Sequence, residues 1–339
     1  MAAGLALPSQ GVVTAMAKQL QTSRGQLLRM GARLSLFPLL ALTVVAGLLM
    51  GPSSARAASG RVLTAAPGAS WALGGALRSA TTSNVLYHGG PVMAGEMQEM
   101  QVYAIFWEPA GSFVSSKFNM LIKRYFRDVG DSGLYANNGQ YADTSGQAPA
   151  GAELAGTFVD RSAYPSTPVL QDSDIRNEVT HAMSVEGWTP GITHLFFVYT
   201  ALNESICVAF FGSCSPPLGS MCGYHFGFRT PGGVVLYAGM PYAGNSLAQC
   251  YGLSVSPNRD VTADAEVNLT SHEQMESATD PEASGWFGPG GLTDEIADKC
   301  LGVFGPLNAK GGDVYFKGHP YILQEEWDNA VSGCVLTGP

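Results

Sequence analysis

Two patterns of apolar residues alternate along this chain, and each predicts a different element. Val102-Tyr103-Ala104-Ile105-Phe106-Trp107 is an unbroken β-branched and aromatic run, as in a strand buried on both faces. His194–Thr200 and Gly233–Tyr242 have the same character, with Tyr224–Arg229 between them and Gly156–Asp160 as a shorter strand. Elsewhere the apolar residues recur every three to four positions. Phe118, Leu121, Ile122, Tyr125 and Phe126 fall on one helical face, Lys117, Lys123, Arg124 and Arg127 lie mostly on the other, and Gly130 stops the helix. A second helix carries Ile175, Val179, Ala182 and Met183 inward; Asp172 or Ser173 is its expected cap, and Gly187 with Pro190 its stop.

The third helical stretch is the most informative. Val261, Ala265, Leu269 and Met275 recur at helical spacing, Asp260 and Thr262 are candidate N-caps, and Pro281 forces a stop after Asp280. Strands alternating with helices make an α/β chain of the mixed α+β kind: one domain with a central mixed sheet flanked by helices. The third helix is expected to pack on that sheet.

Composition adds a boundary near residue 57. Lys18, Arg24, Arg29 and Arg33 precede an apolar run, Leu34–Met50, and Ala55-Arg56-Ala57 offers a small-residue cleavage site. Residues 1–57 therefore read as a secretory signal, with an uncleaved anchor as the alternative. Residues 58–95, rich in Ala, Gly, Ser and Thr, read as a flexible N-terminal segment, and 96–339 as the folded domain. The full chain carries a net charge of −9, and removing five basic and no acidic residues with the signal takes it to −14. So acidic a protein lacks the basic footprint that nucleic acid or anionic membranes require.

All six cysteines, Cys207, Cys214, Cys222, Cys250, Cys300 and Cys334, follow the signal. An even number in an exported chain predicts disulfides, with a local bridge among Cys207, Cys214 and Cys222 and a Cys300–Cys334 link. A cysteine-held zinc is the competing expectation, but no C-x-x-C pair is present.

The third helix also carries the candidate chemistry, in Ser271-His272-Glu273-Gln274-Met275-Glu276. Residues four apart share a helical face, so His272 and Glu276 point together while Glu273 sits about 100° round the axis. That is the arrangement of the His-Glu-x-x-His helix of zinc peptidases, with glutamate in place of the second histidine. After a Gly-rich loop, Glu295 falls where a third ligand is expected, and Asp298 can brace a ligand through a hydrogen bond. On this reading a divalent metal sits on His272, Glu276 and Glu295, with Glu273 as general base for hydrolysis of an amide, a peptide being the expected substrate. Zinc is the expected ion; the extra carboxylate shifts preference towards manganese or calcium. Polar residues on a helix are more often simply a solvated face. His225 and His88 are possible further ligands or substrate contacts, with structural roles as the alternative, and His181 reads as an ordinary surface or packing residue. No Gly-x-Ser-x-Gly elbow or P-loop is present.

The chain resembles the Exordium, or phosphate-induced protein, family, and more closely its microbial relatives. The resemblance rests on Tyr87-His88-Gly89-Gly90-Pro91-Val92, Tyr103-Ala104-Ile105-Phe106-Trp107, Cys222-Gly223-Tyr224-His225, Cys300-Leu301-Gly302-Val303-Phe304-Gly305, and Glu326-Trp327-Asp328 before Cys334. It implies an extracellular or cell-wall location and, for plant members, a role in growth signalling without a settled activity. Microbial relatives show His-Glu-x-x-Glu, Thr-Asp-Pro and Glu-Ile-x-Asp-x-Cys, which places His272, Glu276 and Glu295 at ligand positions and Glu273 at the base. The plant growth role does not carry over. Two functions follow as expectations: a secreted metal-dependent hydrolase of the peptidase kind, or a non-catalytic extracellular protein binding a wall component or partner.

Overall fold

The structure is a computed structural model that describes residues 62–64, 83–95 and 99–338. The expected signal, 1–57, and most of the expected flexible segment lie outside the described residues. Five strands form the central sheet: β1 (Met100–Trp107), β2 (Ala152–Asp160), β3 (His194–Tyr199), β4 (Tyr224–Thr230) and β5 (Gly233–Met240), in the order β2-β1-β3-β5-β4. The first four in that order run parallel, and β4 is an antiparallel edge. Three helices cover it: α1 (Phe118–Val129), α2 (Asp172–Glu186) and α3 (Val261–Thr279). This is the mixed α/β single domain that the alternating pattern predicts.

Alternation along the strands divides the core in two. On β1, Val102, Ala104 and Phe106 join the cluster that contains α1 and α3, while Tyr103, Ile105 and Trp107 join the cluster containing Ile175, Val179 and Ala182 of α2. β3 and β5 are split in the same way, with Phe197 and Ala238 on the first face and Phe196 and Tyr237 on the second. The helices lie on opposite faces because the chain reverses direction across the sheet. It moves from β1 outward to β2 through α1, then back past β1 to β3 through α2, and right-handed crossovers put the two helices on opposite sides.

Several local expectations are corrected. Strand β2 starts at Ala152, four residues earlier than the Gly156 start expected. Helix α2 is capped by Gln171, which forms a reciprocal box with Asp174. Asp172 is engaged elsewhere: its Oδ1 accepts the hydroxyls of Tyr237 (2.5 Å) and Tyr224 (3.0 Å) from the sheet. Gly130 follows α1 in a right-handed conformation, so backbone handedness does not explain it. A Cβ there would lie 1.8 Å from the Ala152 carbonyl oxygen, so the glycine lets α1 meet the start of β2.

Residues 83–95, which composition alone assigns to a flexible segment, pack against the domain. Val85, Val92 and Met93 are buried, Leu86–Tyr87 pairs with Trp286–Phe287, and Val62–Thr64 pairs with Val303–Pro306. All six cysteines are bridged, as Cys207–Cys214, Cys222–Cys250 and Cys300–Cys334. The local bridge and the Cys300–Cys334 link match expectation, and closing the 34-residue loop of the latter stabilises by about 4 kcal/mol on the chain-entropy account. No helix among the described residues is long and apolar enough to cross a membrane.

Helix α3 is buried on every side from Ala263 to Thr279, although about two thirds of its residues are polar. Such a helix needs a partner for each polar group. Asp260 caps it through the Ala263 N–H, Thr270 pairs with the Tyr199 hydroxyl, Asn268 accepts from Gln324 N–H, and Glu266 accepts from Ala243 N–H. Asn268 is thereby too buried to carry a glycan.

Glu266 gives a pH-dependent prediction. Its other oxygen has no partner, and burial pushes its carboxyl up from 4.5 to about 8. The folded state holds this proton more tightly than the unfolded chain does. Its contribution is fully present below about pH 4.5 and is lost as pH rises through about 8. At ~1.4 kcal/mol per pKa unit the loss is on the order of 5 kcal/mol. Glu266→Gln keeps the bond from Ala243 and is expected to flatten that part of the decline, read from urea unfolding at pH 5 and pH 8.

Candidate metal centre

The same burial places His272, Glu273 and Glu276 in the interior, which rules out a solvated face. They lie on the side of α3 that crosses β5 and the edge strand β4. On β4 the residues alternate: Tyr224, Phe226 and Phe228 join the α2 face, so His225 between them points towards α3. The register pairs His225 with Ala238 of β5 and brings its ring to the helix. From the other direction comes the loop after Pro281, whose short turn Asp298–Cys300 is tied down by the Cys300–Cys334 bridge.

These three elements converge on two groups of metal-competent atoms, each group lying within 4.8 Å. His272, Glu276 and Asp298 form one; His225, Glu276 and Glu295 form the other. His272 Nε2 is 3.3 Å from Glu276 Oε1 and 3.7 Å from Asp298 Oδ1. His225 Nδ1 is 3.3 Å from Glu273 Oε2 and 3.8 Å from Glu276 Oε2, and its Nε2 is 3.7 Å from Glu295 Oε1. The three ligands expected from sequence thus do not form a single triad. Glu295 meets Glu276 on the side of His225, while Asp298, expected as a brace, reaches the side of His272. His88 belongs to neither group; its ring stacks on Phe287 at 3.6 Å and its Nε2 meets the Phe287 carbonyl. His181 is half exposed beside Asp160.

The surroundings hold the ligands in place. The Asp298 N–H donates to Glu276 Oε1 at 3.0 Å, and the Asp280 carbonyl accepts from His225 Nε2 at 3.2 Å. Its Nδ1, on the other side of the ring, faces Glu273 and Glu276. Gly223 makes room for the base: a Cβ at that position would lie 2.6 Å from Glu273 Oε1. Asp280, at the C-terminal end of α3, accepts the Ser284 and Gly285 N–H groups with one oxygen. Glu326 lies near enough to feel the charge of His272, and neither of its oxygens has a partner. Sequence reasoning missed Glu326 as part of the site and met it only within a family motif.

Electrostatics here is one-sided. Glu273, Glu276, Glu295 and Asp298 face two imidazoles, and among the described residues no Lys or Arg pairs with them. Burial pushes the Glu295 carboxyl well above its usual range, helped by Glu276, Asp280 and Asp298. Burial and the charge of Glu276 push Asp298 up to about 8. Burial alone lowers a histidine, yet Glu276, Glu273 and Asp298 hold His272 well above its usual value, and Glu273 with Glu276 pushes His225 up to about 9 against burial. Glu276 is the exception: burial raises it, but His272 and His225 bring it below the ordinary range.

Both ring nitrogens of His272, Glu273 Oε1 and Glu295 Oε1 are buried without a hydrogen-bond partner. His272 Nε2 stands 3.3 Å from Glu276 Oε1 as a charge contact. Unpartnered nitrogen and carboxylate atoms around an anionic cavity are the donor set of zinc or manganese, so the residues fit a divalent ion. The cavity is about 20 Å³, and Phe211, Tyr224, Phe226 and Leu292 form its apolar wall.

No family model matches the chain. No solved structure matches it. The chain is similar to Protein EXORDIUM-like 3 of Arabidopsis thaliana, at 25% identity over 288 residues, covering 75% of this chain and 82% of that protein. This supports the Exordium resemblance, and together with the three disulfides it is compatible with an extracellular location.

Proposed function

We propose that this is an exported protein whose buried helix α3 carries a divalent metal centre, and that the centre serves hydrolysis of an amide bond, with peptides as the substrate class. The observation that carries the reading is the buried imidazole of His272, with neither ring nitrogen hydrogen-bonded, among four carboxylates that no Lys or Arg pairs with among the described residues. His272 and Glu276 are the ligands contributed by α3, completed by Asp298, Glu295 and His225. When bound, a divalent ion polarises a carbonyl and lowers the pKa of a nearby water towards 7. Glu273 lines the same cavity as Glu276, Glu295 and Asp298 and accepts a proton from a water there. His225 Nδ1, 3.3 Å from Glu273, orients that carboxylate.

One observation favours a second reading. A cavity of about 20 Å³ has no room for a peptide. A protein of the Exordium kind with a structural ion, binding a wall component or partner through its surface, fits that volume. Incubating the metal-loaded protein with an internally quenched peptide library separates the two. Cleavage that stops with chelator supports hydrolysis, and a fully loaded protein inert across the library supports the structural ion.

A further inference from the structure

Resting on the metal-centre reading, we propose that the centre takes two divalent cations, with Glu276 as the bridging carboxylate between them. The two groups of ligand atoms share one member: His272 and Asp298 belong to the first, His225 and Glu295 to the second, and Glu276 to both. Glu276 presents a different oxygen to each histidine, Oε1 to His272 Nε2 at 3.3 Å and Oε2 to His225 Nδ1 at 3.8 Å. Sites of this kind hold their ions about 3.5–4 Å apart. Each half then supplies one imidazole, one terminal carboxylate and one oxygen of the bridge.

Unpartnered buried atoms occur in both halves, independently of the acidic count. The ring nitrogens of His272 lack a hydrogen-bond partner in the first, and Glu295 Oε1 lacks one in the second. Both side chains are almost wholly inaccessible to solvent. Charge agrees with the geometry. Glu273, Glu276, Glu295 and Asp298, with Glu326 close by, carry more negative charge when ionised than a single divalent ion neutralises. The shared carboxylate is also held in place, because the Asp298 N–H donates to Glu276 Oε1.

The test is titration of the metal-free protein with Mn²⁺, an ion suited to carboxylate-rich sites, followed by electron paramagnetic resonance. The expected result is two equivalents bound and an exchange-coupled spectrum at saturation. His272→Ala and His225→Ala should each retain about one equivalent, with an uncoupled spectrum. Should either variant misfold, the spectrum of the saturated wild type still reports whether the ions are paired. One equivalent with an uncoupled signal overturns the two-ion arrangement and leaves a single centre standing. No bound Mn²⁺ overturns the arrangement and the metal reading together.

Discussion

Glu276→Gln is expected to strip the protein of metal, leaving less than about a tenth of the wild-type content, because Glu276 is the one side chain common to both groups of ligand atoms. Glutamine keeps the volume, so the buried helix is not opened by a cavity, but it removes the charge that both histidines face. The effect should also appear in stability. An ion at about a hundred times its dissociation constant stabilises the folded state by ~2.7 kcal/mol. For a domain of this size each kcal/mol shifts the melting temperature by roughly 2–4 °C. Chelator should therefore lower the wild-type melting temperature by several degrees and leave Glu276→Gln unmoved. A variant that still responds to chelator would place the ion elsewhere.

The second large effect separates binding from chemistry. Glu273→Gln is expected to retain the metal of the wild type while turnover of a cleaved peptide falls by ~10²–10⁴, the range for loss of a positioned general base. Its carboxylate stands 3.3 Å from His225 Nδ1 and lines the cavity without belonging to either ligand group. Loss of metal together with activity would instead make Glu273 a ligand. Unchanged turnover would remove it from the reaction.

These two variants concern residues on one helix, and that is the part of the site most legible in the sequence. Helix α3 follows from Val261, Ala265, Leu269, Met275 and the Pro281 stop, and the i, i+4 relation of His272 and Glu276 is a property of any helix. The strands were legible from their apolar runs. The depth of the helix was not, because its polar residues suggest a wet face. They are buried because Tyr199, Gln324 and Ala243, from distant parts of the chain, supply their partners. His225 lies on an edge strand whose approach to α3 is fixed by pairing with β5, which no sequence interval encodes. The alternation Tyr224-His225-Phe226-Gly227-Phe228 was the available sign, since it opposes His225 to three aromatic residues of the other face. Spacing put Glu295 at a ligand position and Asp298 at a brace, but could not tell which histidine each meets. Both sit on one tight, disulfide-anchored segment, and which carboxylate meets which histidine depends on the turn at Asp298–Cys300.

The most direct test of the metal centre is elemental analysis of the purified wild-type protein beside a His272→Ala/Glu276→Ala variant. Zinc or manganese in stoichiometric amount in the wild type and absent from the variant is the predicted result. A folded wild type that contains no metal, and whose melting temperature does not rise on adding zinc or manganese, would contradict it.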